Sequence, residues 1–319
     1  MDAAEIPKEV LRAENRIRKH IRETILEHSP YLSELAGAKV FCKLENLQYT
    51  GSFKVRGVMN RLLSMTEDEL AQGLITASTG NHGAALAYAT NKLGASGIVY
   101  VPENASQEKI LAIKQLGAEV RYYGDDNAVT EIYARRCAAE NGMTYISPYN
   151  DPQVIGGQGT IAIELERQLD RIDIVFVSLG GGGLISGIGG YLKSVNPEAV
   201  IVGCSPENSQ VMIQSVRAGK ILDLPSLPTL SDGTAGGIEP GAITFDLCRK
   251  LVDDYVTVTE DEIIDSLRLF MKTHHMLIEG AAAVAIASYL KMLERCSGKH
   301  VAIVVCGANI SLEVLKSIL

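Results

Sequence analysis

The sequence predicts an α/β fold in which parallel strands alternate with helices. Three observations carry the prediction. Strand-like apolar runs (Leu74-Ile75-Thr76, Ile98-Val99-Tyr100-Val101, Val120-Arg121-Tyr122-Tyr123, Ile174-Val175-Phe176-Val177, Val200-Ile201-Val202) recur between helix-period segments with short connections. Val301-Ala302-Ile303-Val304-Val305 is apolar throughout, as a central parallel strand buried on both faces has to be. Between one of these strands and its following helix stand four consecutive glycines, Gly180-Gly181-Gly182-Gly183, at the kind of strand end where open α/β sheets hold ligands.

Taken in order, residues 7–27 carry Val10, Leu11, Ile17 and Ile21 among charges and read as a helix packed on the main body. A strand over residues 39–44 runs into the polar loop 45–54. The next helix places Val55, Val58, Met59 and Leu62 at i, i+3, i+4 and i+7, with Thr50 or Ser52 as its expected cap. Lys54 falls in the first turn, where a cation opposes the positive end of the helix dipole. Such a lysine is either a solvated surface group or an amine whose lowered pKa suits it to act as nucleophile or base. The alternation then runs through the turn Ser78-Thr79-Gly80-Asn81-His82-Gly83 to a helix near 127–140. Ser147-Pro148-Tyr149-Asn150-Asp151-Pro152 interrupts it, and a domain crossover is expected there. Helix 155–168, strand 173–178, the glycine run and a helix bearing Leu184, Ile188, Tyr191, Leu192 and Val195 follow. After the strand 200–204, residues 222–241 form a long loop. Strand 255–259 ends on Thr259, which with Glu262 makes a capping box for a helix at 260–274. A helix at 279–294 leads to the last strand and to Cys306-Gly307-Ala308-Asn309.

A chain of 319 residues, 46% hydrophobic, is long enough for two domains or one large α/β unit. Its net charge of −8 and the absence of a Lys/Arg block argue against nucleic acid as the partner and for a small molecule. Neither a secretory leader nor a run of about 18 apolar residues is present, so a cytoplasmic protein without a membrane partner is expected. The six cysteines lack C-x-x-C spacing, which indicates neither a zinc site nor a disulfide framework.

Four adjacent glycines strip the backbone of every Cβ and leave N–H donors at a helix start, an anion cradle best suited to phosphate. A plain turn would need only one glycine. Dinucleotide binding fails on spacing, because the third glycine of G-x-G-x-x-G would be Ile185 or Ser186, and no acid stands at Cys204-Ser205 to hold a ribose. There is no P-loop, no G-x-S-x-G and no H-x-x-x-H pair; of the six histidines only His82, in a polar strand-end turn, reads as functional, and no metal is expected. The phosphate cradle, a lysine at a helix start and polar turns at strand ends together fit pyridoxal 5'-phosphate, which needs a phosphate site, an amine, a group opposite the pyridine nitrogen and donors for a carboxylate.

The segment Lys43-Leu44-Glu45-Asn46-Leu47-Gln48-Tyr49-Thr50-Gly51-Ser52-Phe53-Lys54-Val55-Arg56-Gly57 closely resembles the Schiff-base segment of the serine/threonine dehydratase and serine racemase family. The resemblance continues in order through Ser78-Thr79-Gly80-Asn81-His82-Gly83, Gly157-Gln158-Gly159-Thr160, the glycine run with Leu184, and Cys306-Gly307-Ala308-Asn309, covering nearly the whole chain. It implies two open twisted α/β domains of the tryptophan-synthase-β-like type (fold type II): a small substrate-clasping domain, 72–148, inserted into a large cofactor domain, 1–71 and 149–319. It also implies that Lys54 holds the cofactor and takes the Cα proton, that Phe53 flanks the ring, and that Gly180, Gly181, Gly182, Gly183 and Leu184 bind the phosphate. Asn81 would meet the ring 3′-oxygen, Ser78, Thr79, Asn81 and His82 the substrate carboxylate, and Cys306 the pyridine nitrogen. A thiol there neither protonates the ring nor pairs with its charged form, which favours prompt loss of a β-leaving group over transamination.

The activity so implied is a dehydratase or ammonia-lyase that turns a small β-hydroxy amino acid, by default serine or threonine, into a 2-oxo acid and ammonia. 3-Hydroxyaspartate or a hydroxylated diamino acid are alternative substrates. Thr79 stands where racemases of the family carry serine and many dehydratases alanine, so an amino-acid racemase is the second reading, and a ligand sensor that has lost turnover the third. Ser205, Ser209 and Val211 occupy the positions of the metal-dependent members' ligands, against a divalent cation. The chain ends about one helix past Cys306, so a C-terminal regulatory domain is not expected, whereas a homodimer is.

Overall fold

Ten strands in two sheets account for the alternation, in a computed structural model that describes residues 1–319. In chain order they are β1 (Leu26–His28), β2 (Lys39–Leu44), β3 (Leu74–Ala77), β4 (Gly97–Val101), β5 (Glu119–Tyr122), β6 (Thr144–Tyr145), β7 (Ile174–Ser178), β8 (Val200–Pro206), β9 (Asp254–Val258) and β10 (His300–Val305). The larger sheet has the order β1-β2-β10-β7-β8-β9 and the smaller the order β5-β4-β3-β6. Every pairing is parallel except that of β1 with β2. Strand β10, apolar from Val301 to Val305, lies in the interior of its sheet, with Val301 opposite both Val40 and Ile174. Strands β1 and β6, of three and two residues, are too short to show an alternation and give no signal in the sequence.

Local signals failed at two further places. The N-terminal helix stops at Ile17 instead of running to residue 27. Beyond it the backbone is held by distant side chains: the Arg22 N–H donates to Gln48 Oε1 and the Thr24 N–H to Glu164 Oε2. The helix that begins at Lys54 has Phe53 as its N-cap, without a side-chain cap bond, rather than Thr50 or Ser52. Ser52 is instead drawn into an antiparallel bridge with Gly307. The Thr259/Glu262 capping box forms as predicted. The last long helix spans Gly280–Lys291 and is followed by a separate turn, Leu293–Cys296.

Apolar packing falls mainly into two clusters. One fills the larger sheet and its helices; the other joins the face of the Lys54–Leu63 helix (Val55, Val58, Met59, Leu62) to β3, β4 and the helix Asn81–Leu93. On its other side the Lys54 helix crosses the helix Pro152–Gln168 so closely that a Cβ on Gly157 would sit 2.5 Å from the Arg56 carbonyl oxygen. Two ion pairs, Lys109–Asp232 at 2.8 Å and Arg135–Glu239 at 2.7 Å, tie the smaller sheet's helices to the loop 222–241. No helix is long and apolar enough to cross a membrane.

Candidate active site

Lys54 is placed by backbone pairing between distant segments. The Phe53 N–H donates to the Cys306 carbonyl at 3.1 Å and the Ala308 N–H to that of Gly51 at 2.9 Å. Gly51 and Thr50 adopt left-handed conformations, φ 71° and 65°, which turn the chain sharply into the helix. Lys54 thus starts its helix beside the carboxyl end of β10. Its Nζ donates to the Pro148 carbonyl at 3.0 Å and lies 5.3 Å from the Phe53 ring centroid. Desolvation pulls the Lys54 pKa down to about 8, against the opposing pull of Cys306 and Glu279, so a sizeable neutral fraction exists near physiological pH.

The glycine run meets the helix Gly183–Val195, with Gly182 at φ 87°. No protein group accepts from the N–H groups of residues 180–184, which remain as an open array of donors at a helix start. The backbone has to be bare there. A Cβ on Gly180 would lie 2.8 Å from the Thr234 carbonyl oxygen, and one on Gly181 2.4 Å from the Tyr149 ring. Tyr149 covers this cradle and accepts a hydrogen bond from the Glu239 N–H at 2.9 Å through its hydroxyl. An aromatic in a proline-rich turn carries no chemical signature, so the sequence gives no hint of this role. Gly181→Ala is therefore expected to weaken uptake of pyridoxal phosphate roughly tenfold or more, through about 1–3 kcal/mol of overpacking, while the circular dichroism of the apoprotein stays as in the wild type.

A second donor array faces the end of β3. The Ser78 N–H pairs with the Tyr100 carbonyl and the Ser78 hydroxyl accepts from Gly80, but the N–H groups of Thr79, Asn81 and His82 have no acceptor in the protein. The helix Asn81–Leu93 starts here. The Thr79 side chain is half-buried and makes no hydrogen bond of its own. The His82 ring is buried, with Nε2 2.9 Å from the Ile146 carbonyl and Nδ1 without a partner. Burial, then the nearby Lys54 charge, drive its pKa down to about 3. The imidazole is neutral, so a carboxylate at this turn meets N–H dipoles and not a histidine cation.

Glu279 is the acidic group of the site, and sequence reading missed it. It precedes the helix Gly280–Lys291, whose apolar run from Ala281 onward reads as plain core. Only 3% of it is exposed. Both carboxylate oxygens accept from Asn81 Nδ2, at 3.0 and 2.9 Å, and Oε2 also accepts from the Asn309 N–H at 3.1 Å. Cys306 Sγ lies 3.8 Å from Oε1. Burial foremost, and then the Glu279 carboxylate, raise the Cys306 pKa well above the ordinary thiol value, so the thiol stays protonated.

Lys54, Asn81, His82 and Cys306 thus converge with Glu279, and the glycine run borders the same region through Thr234 and Tyr149. A nucleophilic amine between two helix starts with free N–H groups, at the carboxyl ends of α/β strands, defines an enzyme that holds an anionic cofactor beside its lysine. The cradle of unpartnered N–H groups and the amine of lowered pKa both fit pyridoxal phosphate. Comparison with known proteins agrees. The family described as pyridoxal-phosphate dependent enzyme matches residues 17–307, and the chain belongs to it. It is 38% identical to the L-threonine ammonia-lyase of Thermotoga maritima over 314 residues, 98% of this chain and 77% of that protein. It is 35% identical over 308 residues to the β-hydroxyaspartate dehydratase of Paracoccus denitrificans, 97% of each chain. The solved structure of maize serine racemase is similar with a TM-score of 0.93 at 30% identity, over 98% of this chain and 95% of that one.

Proposed function

We propose that the protein is a pyridoxal-phosphate-dependent ammonia-lyase that converts a small β-hydroxy amino acid to a 2-oxo acid and ammonia. The observation that carries this reading is the half-buried Lys54 amine, its pKa brought down to about 8, set between two arrays of unpartnered N–H groups. Bound pyridoxal phosphate supplies an electron-withdrawing ring that acidifies the Cα–H of an attached amino acid and lets the β-hydroxyl depart.

The chain's own residues divide the remaining tasks. The N–H groups of residues 180–184 hold the phosphate, and those of Thr79, Asn81 and His82, with the Ser78 hydroxyl beside them, hold the substrate carboxylate. Lys54 in its neutral form takes the Cα proton. Phe53 would flank the ring of the bound cofactor and Asn81 would hydrogen-bond its 3′-oxygen. The protonated Cys306 would face the pyridine nitrogen and would leave the ring uncharged, which suits β-elimination. Loss of water from Cα and Cβ leaves an enamine, and water then releases ammonia and the 2-oxo acid, so no redox partner is needed.

Threonine, serine and 3-hydroxyaspartate are the substrates to screen first, the last because a relative of 35% identity is named for it. A racemase is the second reading, favoured by the Thr79 hydroxyl, which has no partner in the protein. Assaying each β-hydroxy amino acid for ammonia and 2-oxo acid, with chiral analysis of what remains, separates the two. Thr79→Ala is expected to lower racemisation by roughly 10²-fold or more and to spare elimination within about threefold. A protein that only senses its ligand would change its absorbance on binding and release nothing. We further read residues 1–71 with 149–319 as the cofactor domain, 72–148 as the domain that clasps the substrate, and the active form as a cytoplasmic homodimer.

A further inference from the structure

We propose that Glu279 is a positioning residue that locks the side-chain amide of Asn81, so that an N–H and not the carbonyl is what a bound pyridoxal ring meets. The inference rests on the cofactor reading above and deepens it.

Glu279 is the N-cap residue of the helix Gly280–Lys291, yet its side chain makes no cap bond. Glu is not among the residues that commonly cap a helix start, so this side chain is free to serve elsewhere. Here it is turned away from its own helix and into the site. Room for it is built in: a Cβ on Gly307 would lie 2.6 Å from Glu279 Oε1. No Lys or Arg forms an ion pair with it. The ionisable groups that face it are Lys54, Cys306 and Asp232; of these only the Cys306 thiol bonds to its oxygens, and Lys54 does not pair with it. A buried carboxylate without a paired cation is held by its hydrogen bonds, here from Asn81, Asn309 and the Cys306 thiol.

Those bonds settle which way the amide of Asn81 points. A carboxylate only accepts, so it must face Nδ2; on the other side the Asn309 amide N–H donates to Asn81 Oδ1, so that atom must be the oxygen. The polarity at each end is settled in turn by a backbone contact: Asn309 Nδ2 also donates to the Thr50 carbonyl, at 3.0 Å, and Glu279 Oε2 accepts from the Asn309 backbone N–H. The two oxygens of one carboxylate subtend too narrow an angle at Nδ2 to engage both of its N–H groups, and one N–H is left over. Asn81 follows β3 of the smaller sheet, whereas Asn309 and Cys306 follow β10 of the larger sheet and Glu279 packs beside them. The donor is therefore aligned only when the two sheets stand as close as they do here.

The test follows cofactor uptake by the apoprotein and the absorbance of the loaded protein across pH. Glu279→Gln is nearly isosteric but offers an amide that can turn either way, and is expected to weaken pyridoxal phosphate binding about tenfold and to shift the pH at which the cofactor band changes. Because Glu279 acts through Asn81, adding Glu279→Gln to Asn81→Ala is expected to change neither quantity further. Should Glu279→Gln melt too readily to titrate, Gly307→Ala, whose Cβ displaces the same carboxylate, is expected to give the same two changes. Wild-type affinity with an unmoved band in Glu279→Gln, or full additivity with Asn81→Ala, would overturn the positioning role alone. A wild-type protein that takes up no pyridoxal phosphate would overturn the cofactor reading as well.

Discussion

Lys54→Ala is expected to abolish the lysine-bound cofactor band and to cut turnover by roughly 10³-fold or more, because in the proposed function one side chain both holds the cofactor and moves the Cα proton. The companion expectation concerns stability and has the opposite sign. The Lys54 pKa lies at about 8 in the fold against an ordinary 10.5, so the folded apoprotein binds this proton less tightly than the unfolded chain does. Burial of the lysine therefore destabilises the apoprotein fully below pH 8, and the penalty fades as pH rises from 8 towards 10.5. Lys54→Met removes it while keeping the aliphatic packing. The variant apoprotein is expected to melt higher than the wild type at pH 7 and to lose that advantage by about pH 10.5. A lysine with an ordinary pKa would show no such convergence, and a variant that kept the band would remove Lys54 from the chemistry.

What the sequence made legible was local. The Gly180-Gly181-Gly182-Gly183 run announces itself because it needs only its own neighbours to form a cradle, and β10 because a strand buried on both faces has no polar alternation to hide it. Lys54 could be placed at a helix start from periodicity alone. Its lowered pKa could not be derived, since the burial that causes it is tertiary: even the acceptor of its Nζ, the Pro148 carbonyl, lies 94 residues away in the chain. The resemblance to a known family supplied the roles of Asn81 and Cys306, which no spacing rule yields. Glu279 and Tyr149 went unseen because their meaning is wholly tertiary: one is an N-cap that does not cap, the other a ring laid on a glycine. The same reason explains the failed cap at Ser52, where a bridge to Gly307 outcompeted a local hydrogen bond.

The largest stability effect is expected from Arg56, two residues beyond Lys54 and invisible in the sequence as anything but a helical cation. Its guanidinium is fully buried and meets both oxygens of Glu45, at 2.7 Å each, and both of Glu164, at 2.7 and 2.9 Å. Lys43, also fully buried, reaches Glu164 at 2.6 Å, and the partly exposed Arg18 reaches it at 2.8 Å, so the two buried carboxylates meet three cations. The cluster clamps the Lys54 helix to β2 and to the helix Pro152–Gln168, and so fixes the direction in which Lys54 emerges. Arg56→Met would leave Glu45 and Glu164 in an apolar surround with Lys43 as the only fully buried counter-charge. The expected loss is about 3–5 kcal/mol, the usual result of removing one partner from a buried ion pair.

The pH dependence distinguishes this from a simple packing defect. Although burial opposes ionisation, the charges of Arg56 and Lys43 hold the Glu164 carboxyl down at about 2, below the ordinary 4.5. That carboxylate's contribution is fully present above pH 4.5 and is lost as pH falls towards 2. In Arg56→Met the stranded Glu164 carboxylate would take up its proton more readily and become neutral, so acid removes the defect along with the charge. Urea unfolding of both proteins should show the full gap at pH 7 and a clearly narrower one near pH 3. A gap below about 1 kcal/mol at pH 7, or one that stays constant down to pH 3, would mean that the cluster holds the helix by shape and not by charge.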